Sequence, residues 1–381
     1  MLAGAVTNSH RSVTVTNQNR FTIITTRVCM NANRRRLLQL TGLTAAASTA
    51  GLAGCLGDDD DDANGSDDDD SPSYPSYERW LAASDDELMF AYLDQAALED
   101  VPSFDEAEAP FGEGDGELTD ADDLMLEMAA VGSLVVGLGV GIGLLGTGLD
   151  GVVEIDAEGT AETEFETSID ELLVVNESYV LAGEIDTEEI DETLTHEPDD
   201  QFSMQAVYER TDELHGFELY EPVEDGMSPT IAVSEDAIVF ATADGDIDAV
   251  DAVTQPLAVN AGDADGATDT LENVGWLLET AGHGQIAFGM SGDLEEADDE
   301  VGEDEVAEDE LEDVTGLVSS LTIDGDVSAE VAMTFEQSVD DDTKSTLEDR
   351  MGTSADDVTF DVDDDRVSVS AFWDGTAVLE G

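Results

Sequence analysis

Histidine, cysteine and paired carboxylates are the side chains that most often carry catalysis or bind metals, and here they are scarce or unpatterned. His196, His215 and His283 are scattered, and none has a second histidine or a cysteine at ligand spacing. Asp and Glu number 94, so no pair stands out as an acid and its base. We therefore expect no catalytic residue, no cofactor and no metal site, and a protein that is not an enzyme.

Two short patterns imitate ligand-binding loops. The run 141–146 has the G-x-G-x-x-G spacing of a dinucleotide-binding turn, but that turn must open a helix, and a strand-like run follows too soon. The run 244–248 begins like a calcium loop, yet Ala249 stands where the loop needs glycine. We expect a helix cap at Asp246 and neither ligand site.

One cysteine does have a recognisable chemical context. The R-R-x-L-L core of a twin-arginine export signal is formed by Arg34, Arg35, Arg36, Leu37 and Leu38. The weakly apolar run 37–54 follows and leads into Leu52-Ala53-Gly54-Cys55, the form of a lipobox, in which the cysteine is lipidated. The spacing predicts a signal peptide at 30–54 and lipidation of Cys55. The alternative, a buried alanine-rich helix, would leave three adjacent arginines in need of solvation or partners.

Residues 1–29 stand ahead of this signal and lack both the acidic bias and the periodicity of the later chain. A start at Met30 gives a signal peptide of ordinary length, so we expect 1–29 to be an over-extended gene start. In that case Cys29 is never made and Cys55 is the only cysteine. The mature chain then has no disulfide and no thiolate metal site.

The charge pattern changes near residue 57. No acidic residue precedes it, and all 94 follow, in a chain with a net charge of −83. Such a charge repels a compact state in dilute buffer, although 41% hydrophobic residues indicate a core. A compact core and this net charge are compatible in molar salt, because the Debye length there is about 3 Å and the surface charges are screened from one another. The alternative, a disordered acidic protein, conflicts with the regular apolar periodicity.

This composition resembles that of proteins exported by extremely halophilic archaea. With the signal, the whole chain resembles a haloarchaeal twin-arginine-exported lipoprotein of uncharacterised function. The resemblance implies passage through the twin-arginine translocase, an isoprenoid ether lipid on Cys55 and a place on the extracellular face of the cell membrane. Nucleic acid is a poor partner for so acidic a surface.

The acidic region 55–77 predicts a disordered tether, because blocks of aspartate alternate with serine, proline and glycine. Asn64 lies in this tether within a glycosylation sequon, and Asn176 begins a second sequon next to a strand. We expect N-glycosylation at either position, with Asn64 the more accessible; chance occurrence of both sequons is the alternative.

Beyond the tether, short apolar runs alternate with turn signals, which predicts an α+β fold of antiparallel sheets with short helices. A strand followed by a short acidic helix occurs at 88–100 and recurs at 285–296. We expect two similar repeated units, 78–284 and 285–381, the second with an acidic insertion at 293–314. Chance recurrence of a common pattern is the alternative.

Three further elements have clear local signals. The run 269–281 has apolar residues on one helical face and Gly282 in a C-cap position, so we expect a single helix there. Asp324-Gly325 predicts a hairpin turn. Trp80, Trp276 and Trp373 lie in contexts that predict core positions.

The apolar, glycine-rich segment 124–149 is unusual in unit 1. Its part 128–149 carries no charge and is long enough to span a membrane, with Gly137/Gly141 and Gly139/Gly143 at small-xxx-small spacing. Both flanks are acidic, however, and no basic residue fixes an orientation. We expect a buried or membrane-touching helical segment of the folded unit; a true span is the alternative.

Three functions remain, from different classes. The favoured one is a lipid-anchored, non-enzymatic binding or structural module of the cell surface, with membrane lipid through Cys55 and an envelope protein as partners. The alternative is a solute-binding lipoprotein of a transport system. A surface hydrolase ranks last, because the sequence offers no nucleophile or base for it.

Overall fold

The computed structural model describes residues 73–84, 86–99, 123–149, 151–153, 165–196, 205–224, 228–243, 248–292 and 314–374. The strands are β1 (Leu88–Asp94), β2 (Ser168–Val175), β3 (Ser178–Glu184), β4 (Tyr208–Leu214), β5 (Phe217–Pro222), β6 (Thr230–Val233), β7 (Ala237–Ala241), β8 (Ile286–Ser291), β9 (Val314–Asp324), β10 (Asp326–Phe335), β11 (Asp357–Asp363) and β12 (Arg366–Trp373). The helices are a 3₁₀ helix (Ser76–Trp80), α1 (Gln95–Glu99), α2 (Leu124–Leu144), α3 (Thr187–Thr195), α4 (Ala249–Asn260), α5 (Ala267–Thr270), α6 (Val274–Ala281) and α7 (Asp341–Glu348).

All twelve strands form one sheet, in the order β11-β12-β10-β9-β8-β1-β2-β3-β7-β6-β5-β4. Every neighbouring pair is antiparallel, so the predicted α+β class with antiparallel strands and short helices is confirmed. The sheet continues across the expected unit boundary at residue 285, because β1 pairs with β8 and places Phe90 opposite Gly289.

The strand order has the same pattern in both halves. Outward from the centre, β1-β2-β3-β7-β6 matches β8-β9-β10-β12-β11. In each half a hairpin is followed by a helix, α3 or α7, and then by a second hairpin that folds back beside the first. The first half differs by one added hairpin, β4-β5, at its outer edge. This topology supports the expected repeat.

Helices cover both faces of the sheet. On one face, α2, α3 and α7 share a core with side chains from strands of both halves. On the other face, the 3₁₀ helix, α4 and α6 contribute to a second core. Trp373 lies in the first core and Trp80 in the second, as predicted for both, whereas Trp276 is only partly buried beside the second.

The expected single helix over 269–281 is wrong, because it is two helices, α5 and α6. The break lies at Asn273, which has a left-handed backbone with φ of 69°. Its side-chain oxygen accepts a hydrogen bond of 2.6 Å from Nη2 of Arg366 on β12. The left-handed backbone at Asn273 separates the two helices, and the contact with Arg366 lies at this break; Gly282 is the C-cap as expected.

Other local predictions fare unevenly. The Asp324-Gly325 hairpin is confirmed, with Gly325 at φ of 75° between β9 and β10. Asp246, where a helix cap is expected, lies outside the described residues; the N-cap of α4 is Asp248, whose side chain accepts a hydrogen bond from the backbone N–H of Val250. The fold also begins before the expected end of the tether at 77, since Tyr77 is buried. The acidic insertion expected at 293–314 lies outside the described residues except for Val314, which begins β9.

Helix α2 crosses the middle of the sheet. It contacts β1, β2, β8, β9 and β10, strands of both halves. By length and composition it could cross a membrane, yet here it lies along the sheet. The apolar segment thus forms a helix packed within the fold, which is the favoured expectation.

Candidate docking surface

Helix α2 begins at a buried carboxylate. Asp123 is its N-cap, and one side-chain oxygen accepts from the backbone N–H of Met125 at 3.2 Å. The same oxygen accepts from Gly352 N–H at 3.0 Å, and the other from the backbone N–H and hydroxyl of Ser354 at 2.9 and 2.7 Å. Asp123 is fully buried, so its four donors replace solvent and tie the helix to the loop after α7.

The inner face of α2 approaches the sheet closely through glycines. A methyl group on Gly139 would lie 2.6 Å from Cε1 of Tyr179, and one on Gly143 would overlap the ring of Phe240. These two rings stack with their centroids 4.8 Å apart. Gly132 is also tight, with a methyl group 3.2 Å from Cβ of Phe288. The inner glycines are therefore required by packing within this chain.

The outer face of α2 is apolar and exposed. Leu138, Ile142 and Leu145 are 48%, 50% and 68% exposed, and their spacing of four and three residues puts them on one stripe. Among the described residues the other exposed large apolar side chains are single, at Val223, Val358 and Phe372. A contiguous exposed apolar patch commonly marks a contact with a protein or a membrane.

Two glycines belong to this face as well. Methyl groups on Gly137 and Gly141 would meet nothing within 4 Å. We name the whole surface the outer stripe; it consists of Leu134, Gly137, Leu138, Gly141, Ile142 and Leu145. On a helical projection the leucines form a ridge and the two glycines form a shallow groove beside it.

Two other helices on this face of the sheet are acidic. Helices α3 and α7 share the core beneath α2, and both present carboxylates to solvent. The exposed carboxylates on these helices include Glu188, Glu192, Asp341, Asp342 and Glu348. The outer stripe is therefore an uncharged surface on a face of the sheet whose helices α3 and α7 are acidic.

A small polar cleft of about 270 Å³ on the opposite side is the second candidate site. Its polar lining is largely committed to the fold. Asp248 caps α4, and the Ser178 hydroxyl donates to the carbonyl of Ala252 at 2.7 Å. Across the described residues, no three His, Cys, Asp or Glu side chains are placed to hold a metal ion. The cleft offers no group with an evident chemical task.

Asn176 lines the same cleft and lies in the turn between β2 and β3, with φ of 49°. Its side-chain oxygen accepts from Met89 N–H at 2.9 Å, and its side-chain nitrogen donates to the Ala82 carbonyl at 2.8 Å. The side-chain nitrogen of Asn176 already donates one N–H to the Ala82 carbonyl. A glycan attached to this nitrogen would need to leave that hydrogen bond in place. Glycosylation of Asn176 stays a prediction.

Within the described ranges, the structure brings none of the other predicted site residues together. The signal residues 34–38, Cys55 and Asn64 lie outside the described part of the chain. His215 contacts Asp263 at 2.9 Å in the turn before β5, and His283 contacts the Ser73 carbonyl at 3.0 Å. The glycine pattern at 141–146 lies at the end of α2, not in a strand-to-helix turn.

One charged cluster perturbs a pKa. Nη2 of Arg210 donates to Asp191 at 2.8 Å, and the Tyr220 hydroxyl donates to the same oxygen at 2.9 Å. The guanidinium hydrogen bond is the main reason that the pKa of Asp191 lies below its ordinary value, although burial partly opposes it. This cluster joins α3 to the β4-β5 hairpin, and we interpret its role as holding these elements together.

Sequence reasoning did not identify the outer stripe. The signal was present as leucine and isoleucine at helical spacing over 134–145, but apolar residues occur on both faces of α2, so the covered face could not be chosen. Comparison of the chain with known protein families, with curated proteins and with solved structures finds no match.

Proposed function

We propose that this protein is a lipid-anchored, non-enzymatic module of the extracellular cell surface that binds an envelope partner through the outer stripe. Cys55 carries the lipid, after export through the twin-arginine translocase. The observation that carries the binding role is the exposed row of Leu138, Ile142 and Leu145 on an otherwise strongly acidic protein. In molar salt such a surface gains affinity for another apolar surface, since salting-out ions strengthen burial.

The solute-binding alternative has less support. That class uses two lobes that close on a ligand, whereas these strands form one continuous sheet across both halves. The cleft near Asn176, at about 270 Å³, is also smaller than the roughly 300 to 1,000 Å³ of ordinary ligand pockets. A docking module fits the fold better than a solute receptor.

The anchor is tested on the protein in its host membrane. We expect intact-mass and peptide analysis to show a chain that begins at lipidated Cys55. Cys55→Ser should move the protein from the membrane fraction to the soluble fraction, because one or more lipid chains supply the membrane affinity. Cys29→Ser is the matched control and should change nothing. Peptides from residues 1–54 in the membrane-bound protein would contradict the anchor.

A further inference from the structure

Helix α2 has the properties of a membrane span, although the fold packs it on a sheet. Its 21 residues are long and apolar enough to cross a bilayer, and the run 128–149 carries no charge. In the folded protein the same helix contacts strands of both halves of the sheet. The segment thus suits two apolar environments, the sheet in the folded chain and a lipid bilayer in an unfolded one.

The contacts that hold α2 on the sheet come mostly from parts of the chain that follow it. Gly139 and Gly143 allow close approach to Tyr179 on β3 and Phe240 on β7. At the other end of the helix, Asp123 is hydrogen-bonded to the loop between α7 and β11. Of the strands that α2 contacts, only β1 precedes it, whereas β2, β8, β9 and β10 follow. The helix can therefore dock only after the later chain has folded.

This chain order matters when a protein crosses a membrane in unfolded form. The N-terminus enters first, so α2 reaches the lipid while β2 and the later strands are still on the inner side. An apolar run of this length then partitions into the bilayer and holds the chain there. The acidic flanks of the run do not prevent this, because Asp and Glu contribute little to membrane topology.

We propose that α2 makes this protein dependent on an exporter of folded chains, because only the docked helix can pass the membrane without being retained in it. The twin-arginine translocase carries proteins that have already folded, so the predicted signal at Arg34 and Arg35 selects the route that α2 requires. The inference rests on this part of the proposed function and goes beyond it, since it assigns a role to the docked state of α2 before any partner binds.

Exposed positions on α2 allow the docked and inserted states to be separated. Leu138 and Ile142 are 48% and 50% exposed, so aspartate at both positions leaves the contact with the sheet intact. Both positions are also close to the middle of the run 128–149, where a charged residue strongly opposes insertion into a bilayer. A double aspartate variant should therefore fold as before but no longer stop in lipid.

The first test sends the full chain through the general secretory route. Residues 30–54 are exchanged for a secretory signal that keeps Cys55, so that the chain crosses the membrane unfolded. We expect the unaltered domain to be retained, with the part before α2 open to protease outside and the part after α2 protected inside. Leu138→Asp with Ile142→Asp should increase the fully exported fraction at least tenfold.

The matched control places the same two charges elsewhere. Val223→Asp with Val358→Asp changes positions that are 55% and 38% exposed and lie outside α2, and it should not increase export. Complete export of the unaltered domain, retention of the variant with aspartate at 138 and 142, or equal release by the control would overturn the proposal.

The second test uses the native signal and two glycine pairs. Gly139→Leu with Gly143→Leu prevents docking, whereas Gly137→Leu with Gly141→Leu adds the same side chains where a methyl group meets nothing within 4 Å. Both pairs increase the apolar character of α2 equally. We expect export to fall at least tenfold for the inner pair alone, with its precursor inserted in the membrane through α2. Equal export of the two pairs, or an inner-pair precursor that stays out of the membrane, would refute the proposal.

Failure of the proposed function gives a different result. If Cys55 carries no lipid but the secretory-route chain is retained through α2, the anchor is wrong and the role of α2 stands. If Cys55 is lipidated but that chain is fully exported, the anchor stands and the role of α2 is wrong. Arg34→Lys with Arg35→Lys should stop export of the native chain. Unchanged export of this variant would contradict both the predicted signal and the dependence on an exporter of folded chains.

Discussion

Three of the five basic residues beyond residue 57 lie over aromatic rings. Beyond residue 57 the basic residues are Arg79, Arg210, Lys344, Arg350 and Arg366. Arg79 lies 5.3 Å from the ring centre of Trp80, Arg210 lies 5.7 Å from that of Tyr220, and Arg366 lies 4.9 Å from that of Trp276. Molar salt screens exposed ion pairs strongly, but the packing of a guanidinium on a ring also has a short-range component.

The cap of α2 gives the residue-scale prediction. Asp123→Ala leaves the buried N–H groups of Gly352 and Met125 without an acceptor, so we expect a loss of about 3 kcal/mol or more in the free energy of unfolding. Urea titration in molar salt measures it. Asp248→Ala removes an exposed cap and should cost only about 1 kcal/mol. Equal losses at both positions would mean that the buried network contributes nothing beyond capping.

At the scale of elements, the glycines of α2 divide by face. A methyl group at Gly143 enters the ring of Phe240, so Gly143→Ala should destabilise the monomer by about 1 to 3 kcal/mol. Gly137→Ala fills open space and should stabilise it by up to about 1 kcal/mol. Thermal unfolding of the soluble Cys55→Ser protein gives both values. Destabilisation by Gly137→Ala would show that this face is covered within the chain.

Sequence patterns gave the elements well where local signals decide them. The strand that opens 88–100, the hairpin at Asp324-Gly325 and the C-cap at Gly282 all follow from alternation, turn residues and caps. The break at Asn273 was not predicted, because the apolar spacing continues across it and its contact with Arg366 joins residues distant in the chain. The sequence also did not show which side of α2 is exposed. Val140 and Leu138 are both apolar, and only the position of the sheet makes the first buried and the second exposed.

The whole molecule protects its two edge strands with charge. On β4 the exposed residues include Glu209, Asp212 and Glu213, and on β11 they include Asp357 and Asp363. Charged edge strands oppose the addition of a strand from another molecule. The two edges are therefore poor sites for the addition of a strand from another molecule.

The net charge of −83 gives the prediction at this scale. On dilution from molar salt to about 0.1 M, the range of charge repulsion grows to about 10 Å, so we expect loss of secondary structure by circular dichroism. Fluorescence should also shift as the buried Trp80 and Trp373 meet water. A non-ionic osmolyte at equal osmolality should restore less structure than salt does. An unchanged spectrum at low salt would contradict the expectation that the fold requires salt to screen repulsion between its carboxylates.

The central pair of strands has one further consequence. β1 and β8 occupy equivalent places in the two halves and run antiparallel, with Leu88 opposite Ser291 and Leu93 opposite Ile286. Their pairing is thus related by a local two-fold axis. In symmetry, this contact within one chain is equivalent to an edge-to-edge interface between two identical half-length molecules.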